Sequence, residues 1–290
     1  MKINIMQLYI SRLPCLSTRE RIIVSDNYSS IEDLLKVKKS DYEYLLKRNL
    51  SGLSFDPASV HKEVHGILET INSSGIDIIN YFSKKYPPQL REIYNPPFLL
   101  YKKGGVLNNE IPSIAVVGTR NPSQVAFRAS YNLGIEIASH DIYLVSGLAH
   151  GVDRAAHAGV VKRRGNTIAV LGNGIDFVYP QRNKLLGQKI IDLGGVLVSE
   201  YPPGTPPLRY NFPARNRIIS GLSQSVVVVE APEKSGALIT AGFALDQGRD
   251  VFIHRSSINS LKGAGCRKLL FEGAGIIDSL GDLISFREAV

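Results

Sequence analysis

From residue 113 onward, apolar runs of strand length alternate with segments of helical periodicity, and this alternation constrains the fold more than any other feature. The runs are rich in Val, Ile, Leu and Ala, which is typical of strands that are buried on both faces of a parallel sheet. They lie at residues 114–117, 142–145, 167–171, 196–198, 226–229, 250–253 and 275–277. Strands joined through helices form right-handed crossovers, so the pattern predicts an α/β protein with a doubly wound, mostly parallel sheet.

The segment before this region carries helical periodicity and almost no strand signal. Ile31 and Leu34 share one face of a short amphipathic helix, and Val60, Val64 and Ile67 share one face of another. We therefore predict a small all-helical domain, of the SAM or helix-hairpin-helix type, over residues 1–80. A connector rich in Pro and Gly follows over residues 81–112, with an edge strand at residues 98–101. The predicted sheet domain then occupies residues 113–290.

The composition fits a globular protein with one large and one small domain in 290 residues. The formal net charge of +8 favours a polyanionic partner. Cys15 and Cys266 belong to no Cys or Cys/His cluster, which predicts neither a disulfide scaffold nor a metal site and fits a reducing cytoplasm. No apolar run approaches the length of a membrane span, so we expect no membrane partner.

Small residues follow the predicted strands, at the edge of the sheet where ligands of wound α/β sheets bind. They are Gly118 with Arg120, Ser146 with Gly147, Gly172 with Gly174, and Ser235 with Gly236. Several loops of free backbone amides that converge with arginines predict a surface for phosphates, although each glycine is also explained by a tight turn. The dinucleotide fingerprint and the Walker A pattern are both absent, which disfavours NAD or ATP chemistry and predicts no cofactor.

A basic and aromatic segment precedes the strand at residues 226–229. It contains Arg209, Tyr210, Phe212, Arg215, Asn216 and Arg217. Guanidinium groups bind phosphate oxygens and aromatic rings stack on bases, so the segment predicts a site for a nucleotide or a nucleic-acid strand. A solvated basic loop explains the segment equally well by itself, and the glycine loops favour the first interpretation.

Two groups of ionisable residues keep open the alternative that the protein is an enzyme. One helix face carries His150, Asp153 and His157. For these residues we favour a structural role over metal binding or acid–base catalysis. Glu200 and Glu230 end two strands, where we expect them to orient arginines or amides of the crevice. A Rossmann-like enzyme that hydrolyses an N-glycosidic or phosphate bond of a nucleotide with one of these carboxylates remains the alternative function. A protein-interaction scaffold with an incidental basic face is a third one.

These loops together resemble the DprA/Smf family of bacterial DNA-processing proteins. The resemblance covers roughly residues 75–282, and its motifs are highly specific when they occur together. The matching segments are residues 117–120 (VGTR), 146–153 (SGLAHGVD), 172–176 (GNGID), 199–202 (SEYP), 212–221 (FPARNRIISG) and 235–241 (SGALITA).

The resemblance implies an extended Rossmann-like fold that binds single-stranded DNA without catalysis. It also implies a homodimer that protects incoming strands during natural transformation and loads the RecA recombinase onto them. The implied contacts with single-stranded DNA are Gly118, Arg120, Ser146, Gly147, Gly172, Gly174, Arg209, Phe212, Arg215, Asn216, Arg217, Ser235 and Gly236.

The C-terminal part departs from the family pattern. His254-Arg255 stands where relatives usually have Pro-Gly, and Gly265-Cys266-Arg267 stands where they have a Gly-x-Asn segment. The family uses this region for dimer and RecA contacts. Leu269, Leu270 and Phe271 remain the candidates for a dimer helix.

Overall fold

The computed structural model describes residues 5–50 and 56–288, and the strands in this part of the chain form one nine-stranded sheet. The strands are β1 (Asp77–Asn80), β2 (Leu99–Gly104), β3 (Ser113–Val117), β4 (Tyr143–Ser146), β5 (Thr167–Leu171), β6 (Val196–Ser199), β7 (Ser225–Val228), β8 (Asp250–His254) and β9 (Gly275–Ile277). The seven strands from β3 onward match the seven predicted apolar runs to within one residue at each end.

The strand order is β1-β2-β6-β5-β4-β3-β7-β8-β9, and the seven strands from β3 to β9 are parallel to one another. The chain winds from β3 to β6 in one direction, returns to the far side of β3, and then winds from β7 to β9 in the other. This order confirms the predicted doubly wound, mostly parallel sheet. The reversal lies between β3 and β7, which pair up to Val117 opposite Val228, so the loops that follow these strands meet.

The strand predicted at residues 98–101 overlaps β2, but β2 does not lie at the edge of the sheet, and β1 was missed. β2 pairs antiparallel with β6 on one side and with β1 on the other, so β1 forms the edge. β1 is only four residues long and shows no clear alternation, because Ile79 is its one buried residue. Its range also lies inside the predicted helical domain, although the strand belongs to the sheet.

Helices cover both faces of the sheet. They are α1 (Ile5–Arg12), α2 (Thr18–Asn27), α3 (Ile31–Leu34), α4 (Lys39–Leu46), α5 (Pro57–Ser74), α6 (Pro88–Arg91), α7 (Gln124–Ala138), α8 (Val152–Arg163), α9 (Lys184–Asp192), α10 (Asn211–Gly221), α11 (Gly236–Asp246), α12 (Ala264–Phe271) and α13 (Leu280–Glu288). The chain also forms short 3₁₀ turns at Gln181–Asn183 and Arg255–Ser257.

Alternate residues of each strand face opposite layers, as the pleat requires. Ala115 and Val117 of β3 pack in one core with residues of α10, α11 and α12. Ile114 and Val116 pack in another with residues of α7, α8 and α13. A third core joins the N-terminal helices α1, α2 and α5 to β2, β5 and β6. The central strands are thus buried on both sides, which explains their continuous apolar sequence.

Candidate nucleic-acid interface

A cleft opens beyond the carboxyl ends of β3 and β7, where the winding direction reverses. Its volume is about 640 Å³, and it is lined by the loops after these strands, by Ala149 after β4, and by the first turns of α10 and α11. The predicted site residues in its wall are Gly118, Arg120, Arg209, Phe212, Arg215, Asn216, Ser235 and Gly236. The other predicted residues lie behind this wall or beside it.

An aromatic ring forms one side of the cleft. The ring of Phe212 lies over Gly172, where an added Cβ would come within 2.7 Å of it. The ring centroids of Phe212 and Tyr179 are 5.7 Å apart, and the guanidinium carbon of Arg120 is 5.8 Å from the Phe212 centroid. The absence of a side chain at Gly172 thus makes room for the Phe212 ring, and the contact of Gly172 with DNA stays a prediction.

Three cationic side chains around this ring have no ion pair within the described residues. Arg120, Arg209 and Lys234 are exposed and line the cleft. Exposed guanidinium and ammonium groups remain hydrated and can exchange that hydration for phosphate oxygens. Lys234 was missed by the sequence prediction, although its place directly before the Ser235 helix cap could have indicated it.

Asn216 and Ser235 organise the opposite side of the cleft. The Ser235 hydroxyl accepts from the Ala237 amide at 3.3 Å, which confirms Ser235 as the N-cap of α11. The side-chain amide of Asn216 donates to the Gly236 carbonyl at 3.1 Å. The start of α11 is thus fixed against α10, with Gly236 exposed at its tip.

Arg215 is buried, and two of its three guanidinium nitrogens donate to groups within the protein. One guanidinium nitrogen donates to the carbonyls of Gly147, at 3.0 Å, and Val170. Asp153 is the charge that faces it, and burial lowers the pKa of Arg215 to about 10 while Asp153 raises it. Arg215 therefore keeps its charge at neutral pH and lies in the wall of the cleft, and its contact with DNA stays a prediction.

The strand-end loop after β4 is built around that same buried charge. Gly147 donates its amide to the Asp153 carboxylate at 3.1 Å, and a Cβ on Gly147 would come within 2.5 Å of the Arg215 guanidinium. The Ser146 hydroxyl is buried and donates to Val116 O at 2.7 Å. Ser146 and Gly147 are thus bonded within the protein, and their contacts with DNA stay a prediction.

Gly174 is likewise used inside the protein. Its amide donates to the carbonyl of Thr205 at 2.9 Å, and a Cβ would lie 2.6 Å from the Asp176 carboxylate. The residue joins the loop after β5 to the loop after β6. Its contact with DNA stays a prediction.

Arg217 lies on the side of α10 that faces away from the cleft. It forms an ion pair with Glu200 at 2.6 Å and donates to the carbonyls of Asn95 and Ala214. The Glu200 carboxylate raises the pKa of Arg217 against the burial that lowers it. Arg217 thus joins the connector to the sheet, and its contact with DNA stays a prediction.

The two strand-end glutamates orient other groups, as the sequence predicted. Glu200 holds Arg217, and the buried carboxylate of Glu230 accepts from the amide and hydroxyl of Ser123 at 2.8 Å each and from the Ser260 hydroxyl. Both carboxylates are thus engaged within the protein. The structure offers neither as a free general acid or base at the cleft.

His157 confirms the structural interpretation of the histidines on α8. It is buried, and its Nδ1 lies 2.8 Å from the Thr167 hydroxyl, which itself donates to the Leu144 carbonyl. The Thr167 oxygen must therefore accept from Nδ1–H. Burial lowers the pKa of His157 to about 3. No group of three or more potential metal ligands occurs in residues 5–50 and 56–288.

We expect His157 to make the protein less stable in mild acid. The unfolded chain takes up a proton near pH 6.5 while the folded imidazole stays neutral down to about pH 3, so stability is full above pH 6.5 and falls below it. At about pH 5, the free energy of unfolding should be lower by about 2 kcal/mol because of this group. Urea unfolding of the wild type and of His157→Asn, at neutral pH and at about pH 5, measures this loss of stability. An equal pH dependence of both proteins would contradict the assignment.

The predicted dimer residues on α12 separate into one core and two surface positions. Leu269 is 7% exposed and packs in the main core, so it is not available to a second subunit. Phe271 is 93% exposed, and Leu270 is half-buried beside it. Arg255 belongs to the His254-Arg255 pair that departs from the family pattern, and it forms an exposed ion pair with Asp278 at 2.7 Å.

The fold and the cleft define a class of protein: a Rossmann-like α/β protein with a basic, aromatic-walled cleft at the reversal of its sheet. The model of the DNA recombination-mediator protein A family matches residues 77–288. The chain therefore belongs to the family of DNA recombination-mediator protein A.

Relatives and solved structures agree with this membership. DNA processing protein DprA of Bacillus subtilis is 42% identical over 218 residues, which is 75% of this chain and 73% of the relative. The X-ray structure of DNA processing protein A from Streptococcus pneumoniae matches with a TM-score of 0.77, 34% identity and 98% of each chain. A structure of DNA processing protein A from Helicobacter pylori, described for its single-stranded DNA binding mode, matches with a TM-score of 0.65 and 26% identity. The match covers 75% of this chain and 97% of the Helicobacter pylori chain. Within the described residues, no helix has the length and apolar character needed to cross a bilayer.

Proposed function

We propose that the cleft binds single-stranded DNA. The observation that carries the proposal is that Arg120, Arg209 and Lys234 line the same cleft as the Phe212 ring, with the Arg120 guanidinium carbon 5.8 Å from the ring centroid. The only carboxylate in the described wall of this cleft is Asp153, which is buried next to Arg215. The cleft therefore presents cations without competing anions.

The ring selects an unpaired strand. Bases of a duplex are stacked on each other and paired, whereas the bases of a single strand are free to stack on an aromatic side chain. A ring in the wall of a cleft reaches such a base while the surrounding cations hold the phosphates on either side. The Helicobacter pylori relative, which binds single-stranded DNA, has the same fold over 75% of this chain.

The proposal includes no catalytic step. The alternative enzyme would use Glu200 or Glu230, and both carboxylates are held by other residues. A mediator of recombination needs to bind and release a strand without changing it. We propose that this chain protects single strands in the reducing cytoplasm and delivers them to the RecA recombinase.

We also propose that the chain acts as a homodimer through the exposed end of α12. Phe271 and Leu270 place apolar surface side by side there, next to the charged residues Lys268 and Glu272. This assignment omits Leu269, which supports the helix from within the core.

The salt dependence of binding tests the proposed DNA site. Arg120→Ala and Arg209→Ala should each lower the slope of log affinity against log salt by about 0.7, since each removes one phosphate contact with a single strand. Fluorescence anisotropy of a labelled oligothymidylate across a salt series measures the slope. Lys189→Ala serves as a control that removes an equal charge from the exposed last turn of α9, and it should leave the slope unchanged. The absence of saturable binding by the wild type would overturn the proposal.

A further inference from the structure

A second concave surface adjoins the cleft and shares one residue with it. This outer pocket is lined by the loop after β3, the start of α7 and the start of α8, and its volume is about 690 Å³. Arg120 belongs to both the cleft and the outer pocket. A chain that leaves the cleft over Arg120 therefore enters the outer pocket directly.

The outer pocket is strongly cationic. Its wall contains Arg120, Arg128, Arg154 and Arg182 as well as His150, and no Asp or Glu is among its described lining residues. None of the four arginines forms an ion pair within the described part of the chain. Unpaired like charges gathered in one concavity repel one another, and a polyanion relieves that repulsion.

The outer pocket also repeats the aromatic feature of the cleft. Phe127 lines it and is 42% exposed on the outer face of α7. An exposed Phe gains nothing from the core of its own protein, but beside four guanidinium groups it offers a surface on which a base can stack. The combination of a ring and unpaired arginines thus occurs twice, on the two sides of Arg120.

We propose that the outer pocket is a second binding segment for the same DNA strand, with Arg128, Arg154 and Arg182 holding phosphates beyond those bound in the cleft. The inference rests on the proposed function of the cleft and extends it. A short oligonucleotide fills the cleft alone, whereas a longer strand crosses Arg120 and reaches the outer pocket. The pocket therefore lengthens the footprint and increases affinity only for strands long enough to occupy both segments.

The test compares oligothymidylates of about 5 and about 20 nucleotides. For the longer strand, the triple variant Arg128→Ala/Arg154→Ala/Arg182→Ala should lower the slope of log affinity against log salt by about 2, because three contacts contribute about 0.7 each. For the shorter strand the slope should stay within the error of the wild type. Fluorescence anisotropy in a salt series gives both slopes with the full chain.

A matched variant controls for net charge. Lys162→Ala/Arg163→Ala/Lys189→Ala removes three exposed cations near the ends of α8 and α9. Since α8 begins at the cleft edge of the sheet and runs for 12 residues, or about 18 Å, its last turn lies at the opposite edge. This control should leave both slopes unchanged.

Each outcome separates the two proposals. If the wild type binds neither strand, the cleft proposal fails and the outer pocket fails with it. If the wild type binds both strands and the triple variant matches it on the longer one, only the outer pocket is refuted. Equal losses on both strands would also refute it, because they would show a general charge effect without a second segment.

Discussion

Replacing Asp153 with Ala is expected to lower the free energy of unfolding by about 3–5 kcal/mol, because the change leaves the buried Arg215 guanidinium without its counter-charge. Arg215 is 4% exposed, and its carbonyl partners Gly147 and Val170 neutralise none of its charge. Asp153 also accepts the Gly147 amide, which would lose its partner in the same change. The loss is therefore larger than that of any surface ion pair.

Urea unfolding at neutral pH measures this effect. Asp246→Ala is the matched control, since it removes an exposed carboxylate and should change the free energy of unfolding by no more than about 0.5 kcal/mol. The double variant Asp153→Leu/Arg215→Met removes both charges and should recover much of the loss. A loss below about 1 kcal/mol for Asp153→Ala would show that Arg215 does not depend on Asp153.

The parallel part of the sheet was predictable because burial on both faces leaves a continuous apolar sequence. β3 to β8 each read as a short Val, Ile, Leu or Ala run, and the order of winding follows from the helices between them. β1 and β2 lie on the antiparallel side, where β1 is short and only half-buried. Propensity and periodicity carry little signal for such a strand, since its place depends on pairing with a distant β2.

The cleft was predictable as a location but only in part as a set of residues. Topology places the loops after β3 and β7 together, and Arg120 and Phe212 do lie there. The sequence does not show which arginines of one helix are exposed and which are buried. Arg215 and Arg217 are both buried, and their partners Asp153 and Glu200 come from other strand-end loops. Which arginine stays free depends on long-range packing that periodicity does not encode.

The glycines show the same limit. Gly147, Gly172 and Gly174 occur at strand ends, which is compatible both with binding an anion and with close internal packing. In the structure each one makes room for a neighbouring group, namely the Arg215 guanidinium, the Phe212 ring and the Asp176 carboxylate. The glycines of the family motifs thus serve internal packing at the strand ends.

Replacing Phe212 with Ala is expected to weaken binding of single-stranded DNA by about 5- to 150-fold, because one stacked base contributes about 1–3 kcal/mol. The loss should be similar for different base sequences, since every base has a face on which a ring can stack. The slope of log affinity against log salt should not change, because the substitution removes no charge. This last feature distinguishes Phe212 from Arg120 and Arg209, whose loss reduces the slope.

Phe212→Leu separates stacking from packing. The Phe212 ring also covers Gly172 and contacts Tyr179, so its removal could act by opening the wall of the cleft. Leu keeps most of the apolar volume but has no aromatic face, whereas Phe212→Tyr keeps the ring. Stacking predicts that the Leu variant binds as weakly as the Ala variant and that the Tyr variant binds like the wild type. Wild-type affinity in the Leu variant would mean that the ring shapes the cleft without contacting a base, and that the cations alone hold the strand.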